Sequence, residues 1–576
     1  MKADLARREP TFLARWEERR LYDEILKSSA RRPKFVLHDG PPYANGHIHL
    51  GTVMNKTLKD IVVKAKTMSG HFTAYVPGWD CHGLPIEHQV VKDLGPKAKK
   101  LTKAELRKEC RAYAEKFIGV QREEFKRLGV FGTWDQPYRT MDFGYQAQIA
   151  RELGKVVENG YVYRSRRAIH WCMSCETALA EAEIEYTDHR SPSIYVSYPL
   201  LGGEGGADAF ALIWTTTPWT LPASMAIAFN EAEDYVFVRR KGNPGRFLIA
   251  KPLLESIRSA LGLKAEDLAV ESEVGKGKKL KGWKARHPFV EREIPLFPGD
   301  HVTMDTGTGL VHTAPGHGEE DFELGQKFGI DVYSPVLADG RFDKDVEHFA
   351  GLRVFDANPK IVDHLRSVGR LFEKPVEVTH SYPHCWRCKK PVIFRATAQW
   401  FISMSHRDFR AKALAEVDRV RWVPEWGRDR IRGMIEQRPD WCISRQRVWG
   451  VPIIAFECRS CGEYLLSPEA IEHVARIFDA EGADAWFLRP VEDLLAKGLT
   501  CAKCGKRDFE TGTDILDVWF DSGTSHAGVL ERHPELAWPS DLYLEGSDQH
   551  RGWFQSSLLE GIATRGKSPF KAVVTH

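Results

Sequence analysis

The stretch Lys34-Phe-Val-Leu-His-Asp-Gly-Pro-Pro-Tyr-Ala-Asn-Gly-His-Ile-His-Leu-Gly-Thr52 decides the fold. Phe35 to Leu37 reads as a short buried strand, Gly40-Pro-Pro as a turn, and the residues from Leu50 onward as a helix. In that helix Leu50, Val53, Leu58, Ile61, Ala65 and Met68 recur at helical spacing until Gly70 stops the run. A further strand is expected near Ala74 to Val76, which completes one α/β unit. Such units build a doubly wound parallel sheet, with the ligand at the carboxyl ends of its strands. The junction also sets helix N-terminal N–H groups beside His47 and His49, where a polyphosphate can bind. Taken alone, the turn reads more readily as two solvated histidines, by about two to one.

Upstream, Thr11 to Leu26 reads as an amphipathic helix with Phe12, Trp16 and Leu21 among its apolar positions. Downstream, Thr102-x-x-Glu105 has the form of a capping box ahead of a helix carrying Leu106, Cys110, Phe117 and Leu128. Another helical run covers Tyr145 to Val157. From about Ser193 to Ala314 the texture turns to short β-rich runs with many glycines, including Gly202-Gly-Glu-Gly-Gly206, and this predicts a separate inserted β domain. Helical and α/β texture returns after His380, sheet motifs resume from Trp441, and Pro569 to His576 reads as a last strand. At 576 residues the chain is expected to hold roughly three to five domains.

Charged residues at 28% and hydrophobic residues at 43% exclude a disordered or fibrous protein. A net charge of only +3 makes any nucleic-acid surface a local patch. The first thirty residues are charged throughout where a signal peptide needs an apolar run, and no stretch is apolar enough to span a bilayer. A soluble cytoplasmic protein with no membrane partner is expected. Of eleven cysteines, eight fall into four Cys-x-x-Cys pairs, which in a large intracellular enzyme points to zinc and reduced thiols. Cys458-x-x-Cys461 and Cys501-x-x-Cys504 lie in one small insertion, each followed by a glycine that suits a zinc-ribbon turn. Cys172-x-x-Cys175 and Cys385-x-x-Cys388 flank the β insertion, where a shared zinc would staple its two stalks. Cys81, Cys110 and Cys442 read as packing residues.

Read with Val76-Pro-Gly-Trp-Asp-Cys-His-Gly-Leu-Pro85 and Tyr543-Leu-Glu-Gly-Ser-Asp-Gln-His-Arg-Gly-Trp-Phe554, the opening stretch resembles the class I aminoacyl-tRNA synthetases, in their bacterial isoleucyl branch, over nearly the whole chain. The resemblance implies an α/β fold: a doubly wound, Rossmann-like catalytic domain interrupted by a β-rich editing domain and small zinc modules. It implies ATP with Mg, L-isoleucine and tRNA(Ile) as partners, up to two structural zinc ions, and a monomer. The family signature His-x-x-His here runs through His49-Leu-Gly-Thr52, with Thr52 in the second histidine's place, and the implied catalytic group is His47, His49 and Thr52. Thr52 donates a hydrogen bond but brings no imidazolium.

By the same resemblance, Asp80 pairs with the substrate α-ammonium, a charge-assisted contact that fixes orientation. Gly40, Pro41, Trp519 and Trp553 are implied to line a tight aliphatic pocket, with Gln549 near the substrate head group. Glu545 and Asp548 offer carboxylates suited to ribose hydroxyls, and Glu545 matches the family's aminoacyl-adenylate contact. Arg445 and Arg447 serve either the acceptor end of tRNA or the sheet.

Trp214-Thr-Thr-Thr-Pro-Trp-Thr220 and Gly307-Thr-Gly-Leu-Val-His-Thr-Ala-Pro-Gly-His-Gly318 resemble the hydrolytic editing pocket of the isoleucyl, valyl and leucyl enzymes. A pocket that accepts isoleucine cannot exclude valine by size, and the isoleucyl enzyme is itself the worked case of that limit, about 150-fold. Thr215, Thr216 and Thr217 are implied to hold a water and the ester, Asp321 to pair with the free α-amino group, and His312 to form the wall that rejects isoleucine. Ser224 stands where bacterial relatives often have Asn. The implied division is 1–165 for the N-terminal helix and first catalytic half, 166–192 for a zinc-knuckle stalk, and 193–378 for the editing domain. A return stalk with the second knuckle follows at 379–440, then the second catalytic half at 441–576 with a zinc ribbon at about 455–510. No Lys-Met-Ser-Lys-Ser loop and no anticodon-binding domain lie within the sequence, so a fragment is expected. The rival readings are a valyl or leucyl relative and, from another class, a zinc-bearing tRNA-binding or editing protein that does not activate an amino acid.

Overall fold

Leu542-Tyr-Leu and Ala572-Val-Val are apolar at consecutive positions, the pattern of strands covered on both faces. In the structure, a computed structural model that describes residues 4–202, 206 and 208–576, these runs belong to a four-stranded parallel sheet. Its strands are β1 (Leu37–His38), β2 (Arg421–Val423), β3 (Leu542–Glu545) and β4 (Ala572–Thr575), in the spatial order β1-β3-β4-β2. Leu37 pairs with Leu542, Tyr543 with Val573 and Arg421 with Ala572. Because every strand runs the same way, Asp39 and Gly40 beyond β1 meet Glu545 of β3 at one rim. A second parallel pair, Gly78–Trp79 with Tyr138–Arg139, carries the Asp80 segment, and Tyr43 and Asp80 form a parallel bridge.

Three helices set the rim. Helix α1 (Leu50–Met68) follows the turn after β1 and buries Lys56, Lys59 and Val63 at positions i, i+3 and i+7. Helix α2 (Val518–Gly523) carries Trp519, and α3 (Trp553–Arg565) is buried from Trp553 through Ala563, as a helix enclosed on all sides must be.

The chain divides into two compact units, Met1–Arg164 with Trp400–His576 and Ser165–Gln399. The first holds the parallel sheet. The second is built on a ten-stranded mixed sheet, in which the long strand Ile184–Leu201 pairs antiparallel with Val376–Cys385 from Val376↔Ser193 to Cys385↔Ile184. Gly203, Glu204 and Gly205 of the glycine run lie outside the described residues. No helix among the described residues is long and apolar enough to cross a membrane.

The capping box at Thr102 forms, with Glu105 N–H donating to Thr102 Oγ1 at 3.3 Å and Thr102 N–H to Glu105 Oε2 at 2.7 Å. Two expectations change. The single helix over Thr11 to Leu26 is two helices, Leu5–Glu18 and Leu21–Ser29, broken at Arg20, whose φ is 47°. The break turns Tyr22 inward, where its hydroxyl accepts the Tyr75 N–H at 2.9 Å. Ala74 to Val76 is buried but is no strand, because Tyr75 spends its backbone groups on Tyr22 and on Thr133, whose N–H donates to Tyr75 O at 3.0 Å.

Candidate functional site

At the rim, Glu545 reaches across to α1. Its Oε1 accepts from Lys59 Nζ at 2.5 Å and its Oε2 from Asn55 Nδ2 at 2.6 Å. Gly40 leaves room for that carboxylate, since a Cβ there would strike Glu545 Oε1 and come within 2.9 Å of Trp553. Trp553 lies buried against Tyr543 with ring centroids 4.0 Å apart, and its Nε1 donates to Ser522 O at 3.0 Å. Gln549 Oε1 accepts the Trp553 N–H at 3.0 Å, and a Cβ on Gly552 would touch both Gln549 and Trp519. Gly40, Glu545, Gln549, Trp519 and Trp553 therefore converge. Pro41 is half-buried in the adjoining turn, while Asp548 is exposed and accepts from Gln549 Nε2 at 2.8 Å.

His49 caps α1, its Nδ1 accepting from Gly51 N at 3.1 Å and Thr52 N at 3.4 Å. That acceptor role leaves the ring proton on Nε2. Thr52 shares a helix face with Asn55, Lys56 and Lys59, by their spacing. His47 is exposed and lies 2.5 Å from Glu124 Oε1.

The Asp80 segment is pinned on two sides. Asp80 N–H donates to Pro42 O and Ala44 N–H to Asp80 O, each at 2.9 Å. His82 Nδ1 lies 2.8 Å from Asp521 Oδ2 on α2. Gln146 Oε1 accepts the Ala483 N–H at 2.8 Å, which turns its amide NH2 toward His82 Nε2 at 3.1 Å and leaves the imidazole proton on Nδ1, donated to Asp521. Burial holds His82 well below its ordinary range and Asp521 well above it. Asp80 itself is raised to about 8 by burial, against donation from His82 N–H, Thr140 and Cys81 N–H, with Asp517 adding to the rise.

In the second unit, Thr215 ends a strand and Thr217 precedes the turn Pro218–Ala223. Thr215 Oγ1 accepts the Thr217 N–H at 3.0 Å and lies 3.2 Å from Thr217 Oγ1; Thr216 is half-buried beside them. Thr220 Oγ1 donates to Thr217 O at 2.9 Å and so accepts from His312 Nε2 at 3.1 Å. His312 Nδ1 is then a bare acceptor, buried and without a partner among the described residues; the acceptor His317 Nε2 and the donor Trp219 Nε1–H are also buried and unpartnered there. Asp321 Oδ2 accepts the Ala314 N–H at 2.9 Å and crowds Gly318. Burial lowers His312 and His317 to about 4 and raises Asp321 to about 6. Ser224 is fully buried and accepts from Tyr198 OH at 3.2 Å.

Each set of four cysteines comes together, Cys172, Cys175, Cys385 and Cys388 in the second unit and Cys458, Cys461, Cys501 and Cys504 in the first, with all sulfurs of a set within 4.8 Å. Cys172 to Cys388, Cys458 to Cys504 and Cys461 to Cys501 are each 3.5 Å apart. That is too long for a disulfide and near the roughly 3.8 Å edge of a tetrahedron with 2.3 Å metal–sulfur bonds. Both clusters can hold a metal ion.

The sequence profile of the tRNA synthetases class I (I, L, M and V) matches residues 11–576. The chain belongs to this family. Relatives named isoleucine–tRNA ligase include those of Geobacter sulfurreducens, 54% identical over 584 residues, and of Kosmotoga olearia, 52% identical over 576. Each match covers 100% of this chain and 62% of the relative. Arg445, which the sequence left between two uses, pairs with Asp517 at 2.9 Å, and Arg447 lies 3.3 Å from Glu87. Sequence reasoning missed Asn55, Lys59, His82, Thr220 and His317. For the lysine, the only signal was its helical spacing to Val63.

Two outcomes follow from this geometry. Burial raises Asp80 to about 8, so an ammonium ligand paired with it below that pH would displace its proton. If the α-ammonium pairs with Asp80, amino-acid binding to this chain should release up to about one proton per site near pH 7, tighten as pH rises toward 8, then level off. Calorimetry in buffers of different ionisation heat reads this, and Asp80→Asn should abolish it. Metal analysis should find up to two zinc equivalents, one of them lost on replacing Cys458 and Cys461 together by serine. A chain with no bound zinc would refute the assignment.

Proposed function

We propose that this chain supplies the activating and editing parts of an isoleucine–tRNA ligase. The reaction is attack of the isoleucine carboxylate on the α-phosphorus of ATP: a phosphorus–oxygen bond forms as the bond to the β-phosphate breaks, and pyrophosphate leaves. The isoleucyl group then passes to the terminal ribose of tRNA(Ile), releasing AMP. The chemistry joins two anions, so positioning and charge stabilisation carry it. Mg bound with ATP would neutralise phosphate charge.

The observation that carries the reading is the convergence of Gly40, Trp519, Gln549, Trp553 and Glu545 at the rim, next to a turn hydrogen-bonded to the Asp80 segment. Asp80 would take the α-ammonium, Glu545 the adenylate, and the His49 Nε2–H and Thr52 hydroxyl would donate to phosphate oxygens. The names of the relatives favour isoleucine over valine or leucine as the substrate.

In the second unit, the unpartnered His312 Nδ1 and the Thr215–Thr217 hydroxyls are suited to a water and an ester, and Asp321 to the free amino group. Neutral His312 would contribute shape and an acceptor without adding charge. Hydrolysis of Val-tRNA(Ile) there would supply the second sieve.

The test uses the full-length gene product. Isoleucine-dependent pyrophosphate exchange should fall by about 100-fold or more in Asp80→Ala, the scale of breaking a buried charge pair. In deacylation, Asp321→Ala should slow loss of valine from Val-tRNA(Ile), and His312→Ala should make Ile-tRNA(Ile) a substrate as well. Absent exchange in the unmodified protein would favour the non-activating reading, and unchanged deacylation in Asp321→Ala would misplace the editing site.

A further inference from the structure

Glu545 is the open end of a chain of charges. Lys56 Nζ binds Asp39 Oδ2 and lies 3.2 Å from Tyr75 OH; Asp39 Oδ1 accepts from Lys59 Nζ at 2.6 Å; Lys59 then donates to Glu545 Oε1 at 2.5 Å. Two cations and two carboxylates alternate, so the set is neutral. The side chains of Lys56, Asp39 and Lys59 are at most 1% exposed, and that of Glu545 is 12% exposed. Buried ion pairs add little net stability compared with apolar packing, so stability alone does not account for four charges at this place. What the arrangement does is fix the one carboxylate that faces out. Lys59 and Asn55 hold its two oxygens from one helix face, and the bare Gly40 admits it. Asn55, its NH2 committed to Glu545, keeps a buried Oδ1 without a partner among the described residues, a second acceptor beside the carboxylate.

We infer that Lys59 and Asn55 are positioning residues that hold Glu545 ionised and in one orientation for the adenylate. This rests on the proposed role of Glu545. Burial raises Glu545, Lys59 is the strongest opposing influence, and Asp39 and Lys56 act in opposite senses behind it. Just beyond β4, His576 N–H donates to the Glu545 backbone O at 3.2 Å. Without Lys59 the carboxyl rises further, which favours its protonated form, and a protonated carboxyl can no longer accept on both oxygens.

The probe is isoleucyl-sulfamoyl adenosine, a non-hydrolysable adenylate analogue, titrated calorimetrically into this chain. The reading is the ratio of variant to wild-type Kd, which cancels the Asp80 titration common to both. For Lys59→Met we expect a ratio of about 30 near pH 6.5 that falls below about 5 near pH 9. In a Glu545→Gln background the same substitution should change Kd by less than about twofold. Asn55→Ala, at a half-buried uncharged position, should weaken binding about fivefold with no pH dependence, and that loss too should vanish with Glu545→Gln. A Lys59→Met ratio that is flat with pH and additive with Glu545→Gln would show a packing role and overturn the inference. If Lys59→Met does not fold, an Asn55→Ala variant that binds as wild type overturns it. No binding by the unmodified chain would instead remove the adenylate role of Glu545, and the inference with it.

Discussion

Two lysines on the inward face of α1 tie the ends of β1 and β3 together through Asp39 and Glu545. The rest of the rim depends on this tie. A parallel sheet delivers its strand ends to one edge but does not fix side chains there. With Asp39 anchored on both lysines and on the Gly78 N–H at 3.1 Å, the turn through Gly40 and the start of the Asp80 segment share one fixed point. Helix, turn and neighbouring strand are thereby positioned by one neutral cluster.

The two units treat polar groups differently. At the parallel-sheet rim opposite charges outweigh burial for Lys59, which is raised, and for Asp39, which is lowered, while burial still lowers Lys56 to about 8 and raises Glu545. In the second unit burial is the main cause that lowers His312 and His317 to about 4, with His317 adding to the fall for His312 and Arg395 for His317.

Local features were legible in the sequence. Helix α1 begins at Leu50 and ends at Met68 as its spacing indicates, the capping box at Thr102 forms, and the cysteine knuckles assemble in the two sets their positions suggest. What sequence could not show was pairing at long range. Lys59 and Glu545 are 486 residues apart and His82 and Asp521 are 439 apart, and no local pattern records either contact. Buried lysines are hidden for a second reason: a search for apolar periodicity passes over charged residues, although Lys56 and Lys59 occupy core-facing positions. The N-terminal helix misled because its apolar spacing continues across Arg20 while the backbone does not.

The ribbon of Ile184–Leu201 and Val376–Cys385 ends in a cysteine, with Cys385 opposite Ile184. Antiparallel strands of this length can slide by one residue, which turns every side chain to the other face. A slip here would carry Cys385 about 3.4 Å along the ribbon and off its three sulfur partners. The cysteine cluster therefore acts as a vernier stop, converting a loosely specified alignment of two long strands into a single allowed setting.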